Sequence, residues 1–326
     1  MAAALPRHSF ITGGAGFIGS NLADRLLADG ERVTVYDNLA TGFIEFLADA
    51  RRIGGDRFRF IQGDLLDEAA LNQAMAGADQ VFHLAANADV RFGTQHPRKD
   101  LEQNTIATHN VLEAMRLNGV KRIAFSSTGS IYGEPEVFPT PEDAPFPIQT
   151  SLYGASKLAG EGLIQAYCEG FGFQGFIFRF VSVLGERYTH GHIFDFYKKL
   201  SDDPTRLPVL GDGRQRKSYM HVQDCIDGML LALEKAEGKV NIFNLGLDAY
   251  MEVNRSIAWI AERLGVSPAL EYAGGSRGWI GDSPFILLDT ARARALGWRP
   301  KLDLQESVAR TVDWLRANPW VFERRP

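Results

Sequence analysis

The segment Phe10–Asn21 constrains the fold of this chain more than any other part of the sequence. An apolar lead-in stops at a cluster in which Gly13, Gly16 and Gly19 recur at every third position, and a helix-like run begins at Ser20. Glycine permits positive φ in a tight turn and lets the backbone approach a ligand closely. A helix that starts there directs N–H groups and its positive dipole end at the turn, which suits a pyrophosphate. The segment therefore predicts a strand–turn–helix unit that binds a diphosphate.

A second strand candidate, Arg32–Tyr36, ends in Asp37-Asn38. In a dinucleotide-binding βαβ unit an acid stands about twenty residues beyond the glycines and holds the adenosine ribose hydroxyls. A carboxylate there repels a 2′-phosphate, so the position favours NAD over NADP. The competing interpretation of Asp37 is a solvated strand-end acid or a turn former. The glycines upstream favour the cofactor role.

Strand-like and helix-like segments alternate through the first half of the chain. Further strand candidates are Phe58–Ile61, Gln80–Leu84, Arg122–Phe125 and Gly175–Phe180, and helix candidates are Glu68–Met75, Lys99–Asn118 and Ser151–Phe171. Such alternation with short connections predicts an α/β fold, a doubly wound, Rossmann-like parallel sheet with helices on both faces. Ligands of such sheets bind beyond the carboxyl ends of the strands, where Asp37, Asp64, Ala85 and Thr128 fall.

The alternation breaks after Phe180, where loops rich in Gly, Pro and His surround short helices. Val240–Leu245 is one more strand candidate that could return to the main sheet, and amphipathic helices are predicted at Val253–Leu264 and Leu304–Asn318. We therefore expect a smaller, discontinuous α/β substrate domain. The predicted division is residues 1–180 and 222–246 for the NAD-binding domain, and 181–221 and 247–326 for the nucleotide-sugar-binding domain.

Composition excludes several kinds of partner. A formal charge of −5 and the absence of a long basic run argue against nucleic acid, although Arg214–Lys217 suffices for one diphosphate. No stretch is apolar enough to predict a membrane span or a signal peptide. The two cysteines, Cys168 and Cys225, form no disulfide framework, as expected in the cytoplasm. His190 and His192 are the one close histidine pair, without a third ligand, so no metal is expected.

Tyr153 and Lys157 lie one helical turn apart, so both side chains should share one helix face. Thr128, at a preceding strand end, could face them. A tyrosine with an ordinary pKa of about 10 is a poor base at neutral pH. An ammonium and a positively charged nicotinamide ring nearby should lower the pKa of Tyr153. The three residues then predict removal of a proton from a secondary alcohol while its hydride passes to NAD. A Tyr-x-x-x-Lys pair by itself is more often a solvated helix face.

These motifs together resemble those of the extended short-chain dehydrogenase/reductase family, and within it the NAD-dependent nucleotide-sugar epimerases and dehydratases. The matching segments are Thr12–Gly19, Asp37-Asn38, Gly63–Leu65, His83–Ala86, Ser126–Gly133 and Tyr153–Lys157, in the order of the family. The resemblance covers nearly the whole chain. It implies tightly bound NAD, a catalytic set of Thr128, Tyr153 and Lys157, and a homodimer built on the helices around 99–118 and 151–171.

The same resemblance implies the cofactor contacts. According to this resemblance, Asp64 and Leu65 hold the adenine, while the rest of the cofactor channel is lined by Ala85, Ala86, Asn104 and Ser126. Asp64 could instead be a turn or helix cap, because Asp is a preferred cap. The full implied set is Gly13, Gly16, Phe17, Ile18, Asp37, Asn38, Asp64, Leu65, Leu84, Ala85, Ala86, Asn104, Ser126, Tyr153 and Lys157.

The second half resembles the family's diphosphate-sugar signature in altered form. Ser182 stands where the pattern usually has an asparagine, and Lys217 occupies the usual arginine position beside Arg216, so either cation could hold the phosphates. Cations from two segments converging on a diphosphate are favourable, although each alone could be a surface charge. The implied substrate residues are Ser182, His192, Leu210, Arg216, Lys217 and Arg277.

The residues after Thr128 distinguish between reactions that share a first oxidation at sugar C4. A 4,6-dehydratase needs an added acid and base there, and a decarboxylating relative needs further charged residues, whereas Gly129-Ser130 follow in this chain. We therefore expect C4 epimerisation of a UDP-sugar through a transient 4-keto intermediate, with UDP-glucose and UDP-galactose as the epimers. The alternatives are another UDP-hexose, such as UDP-glucuronate (with the 187–190 loop contacting C6) or a UDP-N-acetylhexosamine, a 4,6-dehydratase, and a non-catalytic NAD-sensing module.

Overall fold

The chain forms two compact units, and the first unit (Met1–Ile131, Ser151–Arg179 and Met229–Phe243) is built on a seven-stranded parallel sheet, which confirms the predicted fold class. The computed structural model describes residues 6–87, 90–146, 148–275 and 285–324, apart from the side chains of 90–92. The strands are β1 His8–Thr12, β2 Arg32–Asp37, β3 Phe58–Gln62, β4 Gln80–His83, β5 Arg122–Thr128, β6 Gln174–Phe180, β7 Ser182–Leu184, β8 Arg206–Val209, β9 Arg216–Lys217, β10 Tyr219–His221, β11 Val240–Leu245, β12 Met251–Glu252, β13 Ala269–Tyr272 and β14 Phe285–Ile286. The seven-stranded sheet has the order β11-β6-β5-β4-β1-β2-β3.

Strand order reverses between β1 and β4, because β2 and β3 extend the sheet on one side and β4, β5, β6 and β11 on the other. Crossovers between parallel strands are right-handed, so this reversal puts helices on both faces of the sheet. The helices are α1 Phe17–Ala28, α2 Ala48–Gly54, α3 Glu68–Ala74, α4 Val90–Gln95, α5 Pro97–Asp100, α6 Ala107–Leu117, α7 Leu152–Phe171, α8 His192–Asp202, α9 Val222–Lys235, α10 Val253–Leu264, α11 Ala291–Ala295, α12 Leu304–Ala317 and α13 Trp320–Arg324.

The core of this unit fills the space between the sheet and the helices on one face. Phe10 of β1, Phe125 of β5 and Ile177 of β6 belong to one buried cluster with Val111 of α6 and Ile164 of α7. Parallel strands covered on both faces need such continuous apolar runs rather than alternation. The predicted return of Val240–Leu245 to the main sheet is confirmed, since β11 pairs with β6 at the sheet edge.

The helix predicted at 99–118 is interrupted by a π-helical turn. α5 continues into the π turn Leu101–Ile106, and this turn continues into α6. A π turn carries one residue more than an α turn for each hydrogen bond that it closes, and it often marks a functional position. Asn104 lies inside the turn and is buried.

The second unit contains small sheets and amphipathic helices. β7 pairs in parallel with β10, β8 with β13, and β9 lies between β12 and β14. Helices α8, α10 and α12 pack against one another. Both helices predicted in the tail are present, at Val253–Leu264 and Leu304–Ala317.

The chain divides into two compact units at slightly different places from those predicted. The first unit comprises Met1–Ile131, Ser151–Arg179 and Met229–Phe243, and the second comprises Tyr132–Thr150, Phe180–Gly228 and Asn244–Pro326. Residues 132–150 join the second unit because the Thr140 N–H donates to the Leu287 carbonyl at 2.9 Å. Residues 222–228 join it because Asp224 accepts hydrogen bonds from the N–H groups of Lys301 and Leu302 at 2.9 and 3.1 Å. Neither tertiary contact is visible in local sequence patterns.

Among the helices of the described residues, none has the length and apolar character that crossing a membrane requires.

Candidate active site

Two elements of the first unit bring the three predicted catalytic residues together. Thr128 is the last residue of β5, and Tyr153 and Lys157 lie on the first two turns of α7. The helix starts at this point because the Ser151 side chain caps it by accepting from the Gly154 N–H at 3.0 Å. A hydrogen bond joins Thr128 to Tyr153. The sequence spacing and the strand end thus produce the cluster.

Lys157 is buried against the end of the sheet. Its Nζ donates to the Ser126 carbonyl at 2.8 Å and lies 4.7 Å from the centre of the Phe125 ring. Burial lowers the pKa of Lys157 to about 7, and the charge of Glu161 opposes this shift. The ammonium is therefore held in one orientation, but its charge is easily lost.

The prediction that the surrounding side chains lower the pKa of Tyr153 is wrong. Burial raises the pKa of Tyr153 to about 12, the hydrogen bond with Thr128 opposes the shift, and the charge of Asp100 adds to it. Desolvation prevails because the phenolate loses water in this position, while the ammonium of Lys157 is directed at the Ser126 carbonyl.

The three glycines of the first turn have different physical roles. Gly13 has φ +70°, and a Cβ there would lie 2.6 Å from the Ala85 backbone nitrogen. A Cβ on Gly19 would clash with the Gly13 carbonyl oxygen. Apart from the adjoining residues and the backbone of its own helix, a Cβ on Gly16 would have one described atom within 4 Å, the Gly13 carbonyl oxygen at 3.2 Å. Gly13 and Gly19 thus permit the backbone packing of the turn, whereas a Cβ on Gly16, beside Phe17 and Ile18 at the start of α1, would press on the Gly13 carbonyl alone.

Asp37 links the end of β2 to this turn. Its carboxylate accepts from the Ala15 N–H at 2.9 Å and from the Leu39 N–H at 2.8 Å. Burial raises the pKa of Asp37, and the two backbone hydrogen bonds oppose the shift. The turn-forming interpretation of Asp37 is present in these two backbone bonds, and its role at the cofactor ribose stays a prediction.

The predicted adenine residues lie next to Asp37 along the sheet edge. The Asn38 amide donates to the Asp64 carboxylate at 3.2 Å, and that carboxylate also accepts from the Leu66 N–H at 2.9 Å. The second bond is an Asx turn, so the turn-forming interpretation of Asp64 is present as well. Leu65 is buried, and its carbonyl accepts from Asn110 at 3.0 Å.

His83 at the end of β4 is a satisfied, neutral core histidine. Its ring nitrogens contact the hydroxyls of Thr12 at 2.7 Å and Thr108 at 2.9 Å. Burial, with a smaller contribution from the charge of Lys157, lowers the pKa of His83 to about 3. The strand then leads into the half-buried Leu84, Ala85 and Ala86, beside the glycine turn.

Asn104 is the centre of a polar network beside the catalytic helix. Its amide donates to the Ser156 hydroxyl at 2.9 Å and to the Asp100 carboxylate at 3.3 Å. Its carbonyl oxygen accepts from the Asn87 N–H at 2.8 Å. The sequence predicted Asn104 but missed Asp100, Asn87 and Ser156. The spacing of four residues between Asp100 and Asn104 was the available signal.

In the second unit, three of the predicted substrate residues lie on neighbouring elements around Tyr219. Ser182 of β7 is paired with Tyr219 of β10, and the Tyr219 hydroxyl contacts His192 Nδ1 at 2.8 Å. The other ring nitrogen of His192 contacts the Ser256 hydroxyl at 3.0 Å. Burial, with the charge of Lys217 as a second cause, lowers the pKa of His192 to about 3. Ser182, His192 and Lys217 thus form one group around Tyr219, which the sequence did not single out.

Arg216 is held by aromatic rings. Its guanidinium carbon lies 4.2 Å from the ring centre of Phe285 and 5.3 Å from that of Tyr250. Neighbouring residues of a strand point to opposite faces, so Arg216 and Lys217 are directed apart. Leu210 is 53% exposed after β8. The predicted Arg277 lies outside the described residues.

Comparisons with known proteins agree on one family. A family model, the NAD dependent epimerase/dehydratase family, matches residues 9–246. A UDP-glucose 4-epimerase of Mycolicibacterium smegmatis is 34% identical over 317 residues, 95% of this chain and 98% of that protein. A crystal structure of UDP-galactose 4-epimerase, 36% identical, has a TM-score of 0.85 and covers 96% of this chain and 100% of that chain. The Thermus thermophilus UDP-glucose 4-epimerase complex with NAD is 33% identical, with a TM-score of 0.83 over 95% and 99% of the two chains. The chain belongs to the NAD dependent epimerase/dehydratase family.

The cofactor of this epimerase/dehydratase family member is NAD, and the first unit fits it. Gly16 is the N-cap of a twelve-residue helix whose first turn, within the described chain, has no side-chain cap. Helix N-termini of this kind hold phosphates. The Asp37 carboxylate stands at the neighbouring strand end, where a ribose is held in such folds. These groups and the Asn104 network all belong to the first unit.

Within this family member, a buried pair behind Lys157 was not predicted from the sequence. Glu161 lies on α7 and Arg179 on β6, and the guanidinium bonds both carboxylate oxygens. The signal in the sequence was the spacing, since Tyr153, Lys157 and Glu161 are each four residues apart and should share a helix face.

Proposed function

We propose that the protein catalyses NAD-dependent C4 epimerisation of a UDP-sugar, with UDP-glucose and UDP-galactose as the two epimers. The observation that carries the proposal is the cluster of Thr128, Tyr153 and Lys157 at the end of β5. Beside it, the Ser130 N–H donates to Thr128 Oγ1 at 3.1 Å, and neither Gly129 nor Ser130 is an acid or base for eliminating water. The relatives named as 4-epimerases of UDP-glucose and UDP-galactose support this choice.

The catalytic side chains divide the work of moving one proton. Tyr153 takes the proton from the 4-hydroxyl of the sugar and returns it to the same oxygen after the sugar ring has turned over. Thr128 holds the phenol by its hydrogen bond and thereby favours the phenolate. Lys157 contributes a positive charge that burial has stripped of water. When bound, NAD would supply a positively charged ring and a reversible hydride acceptor, so that the hydride taken from C4 is available to return to the other face of the sugar.

The structure favours Lys217 over Arg216 as the cation for the diphosphate. Arg216 is stacked against Phe285 and Tyr250, whereas Lys217 is directed to the strand face that bears Tyr219 and influences the pKa of His192. We expect Lys217→Met to raise KM for the UDP-sugar by about tenfold, the value of one charge-assisted hydrogen bond. Lys217→Arg should retain affinity, and Arg216→Met should leave KM within about threefold. A larger rise in KM for Arg216→Met would reverse the assignment.

The test of the reaction is to incubate the purified protein with UDP-galactose, without added NAD, and follow the appearance of UDP-glucose. The same assay with UDP-glucuronate and UDP-N-acetylglucosamine determines the hexose. Turnover of one of these and not of UDP-galactose would keep the reaction and change the substrate. A product that has lost water or carbon dioxide would overturn the proposal.

We further propose a cytoplasmic homodimer. Leu101, Ile106, Leu117 and Phe171, on the helices expected at the dimer contact, expose apolar surface. A second copy covering these side chains would remove that surface from water. Cys168 and Cys225 are free and buried, as expected in a reducing compartment.

A further inference from the structure

An ion pair is completely buried behind the catalytic helix. The Glu161 and Arg179 side chains are 0% and 2% exposed, and Arg179 Nε and Nη2 donate to the two carboxylate oxygens at 3.0 and 2.8 Å. The Ser127 hydroxyl donates to the same carboxylate. A buried pair of this kind is weak evidence for stability, because desolvation offsets much of the attraction. Its location next to Lys157 suggests a different role.

Glu161 is one helical turn from Lys157, on the side away from Tyr153. The charged and titratable groups around Lys157 are Glu161 and Tyr153 on its own helix, Arg179 on β6 behind Glu161, and the neutral His83 on β4. The charge of Asp100 raises the pKa of Tyr153. Glu161 is therefore the carboxylate within one helical turn of Lys157, and Arg179 and Ser127 fix its position.

We propose that Glu161, anchored by Arg179 and Ser127, is a positioning residue that keeps Lys157 protonated and directed at the Ser126 carbonyl. This inference rests on the proposed epimerase function, in which the charge of Lys157 serves the reaction. Arg179 and Ser127 hold the Glu161 carboxylate in place beside Lys157. A buried carboxylate that loses its partner is costly to keep charged, so loss of Arg179 should weaken the effect of Glu161 on Lys157.

The charge of Glu161 gives a sharp test. Lys157 carries its charge below its pKa, so its loss appears as the alkaline limb of the pH–kcat profile. Glu161→Gln keeps the shape but removes the negative charge, so this limb should move to lower pH by about one unit. Arg179→Met leaves a buried carboxylate without its partner, which favours the neutral form, so the limb should again move to lower pH. Arg179→Lys keeps the charge and is the matched control, with the limb unchanged.

A structural role alone would slow turnover or destabilise both variants without moving the limb. No shift in Glu161→Gln, or a shift to higher pH, would overturn the inference. Should one of the two variants not fold, the direction of the shift in the other still decides. If the wild-type protein had no epimerase activity, the proposed function itself would be contradicted. A second readout, the pH dependence of the unfolding free energy, does not require activity.

That readout is the unfolding free energy in urea as a function of pH. The pKa of Lys157 is about 7 in the folded chain and about 10.4 in an unfolded one, so the unfolded state binds more protons between these values. Stability contributed by this residue therefore rises with pH across that window. Relative to Lys157→Met, which lacks this rise, the rise should begin at lower pH in Glu161→Gln and Arg179→Met than in the wild type. A rise that begins at the same pH in the wild type and both variants would refute the electrostatic role.

Discussion

At the scale of single residues, the surroundings of Tyr153 oppose its own ionisation. Burial raises its pKa to about 12, and among the protein's side chains Thr128 is the group identified as lowering it. The sequence predicted the three residues and their proximity. It did not predict the direction of the pKa shift, because desolvation depends on packing from other segments and Lys157 is bonded to a backbone carbonyl.

Thr128→Val tests this balance. Removing the hydroxyl removes the hydrogen bond that favours the phenolate, so the pKa of Tyr153 should rise further. Because the base acts as phenolate, the acidic limb of the pH–kcat profile should move to higher pH. Thr128→Ser retains a hydroxyl and should keep the limb near its wild-type position. An unmoved limb in Thr128→Val would contradict the role given to Thr128.

Asp37→Asn tests the strand-end carboxylate. The amide retains one oxygen of the two that accept from Ala15 and Leu39, and it removes the charge that suits the ribose hydroxyls. We expect NAD affinity to fall by about tenfold or more, as measured by calorimetry on the protein stripped of cofactor. Asn38→Ala is the neighbouring control, with a smaller loss. Equal affinity in Asp37→Asn would leave Asp37 a turn former alone.

At the scale of elements, sequence patterns predicted the strands and helices well and their contacts poorly. The 151–171 helix and the 240–245 strand were predicted from local residue patterns, and the structure has both. The π turn at 101–106 did not, because an apolar period cannot reveal one extra residue in a turn. The Glu161–Arg179 pair and the Tyr219 group also depend on segments far apart in the chain.

Gly13→Ala tests the packing of the first turn. The residue has φ +70°, and a methyl group would meet the Ala85 backbone, so we expect a loss of about 2–5 kcal/mol in unfolding free energy and failure to bind NAD. Gly30→Ala is the matched control, since Gly30 has φ +93° but nothing within 4 Å of the added Cβ. It should lose about 1–2 kcal/mol, for the left-handed backbone alone. Similar losses in both would refute the steric explanation.

At the scale of the whole molecule, the second unit is joined across distant segments by Asn244. Its buried side chain accepts from the Tyr132 hydroxyl at 2.9 Å and donates to the carbonyls of Thr140 at 2.9 Å and Asp289 at 3.0 Å. Asn244→Ala should lower the unfolding free energy by about 2–4 kcal/mol, because buried carbonyls lose their donor. Tyr132→Phe, which loses one bond, should lose about 1 kcal/mol. Equal losses of unfolding free energy in the two variants would mean that the Asn244 amide contributes no more than its hydrogen bond with Tyr132.

The proposed dimer is tested by sedimentation. Leu101→Glu with Ile106→Glu places charges on the helices expected to meet the second copy, so the protein should sediment as a monomer. Ile148 is 89% exposed and lies outside those helices, and Ile148→Glu should leave the sedimentation coefficient unchanged. A wild-type protein that is monomeric at micromolar concentration would reject the dimer.

The interleaving of the two units has a consequence for how the protein is made. The chain passes between them repeatedly, and the first unit is complete only when Met229–Phe243 has been added. A ribosome must therefore synthesise about three-quarters of the 326 residues before β11 can take its place at the sheet edge. Until then the edge of β6 has no partner on that side, and a nascent chain stalled short of that point would offer it to chaperones.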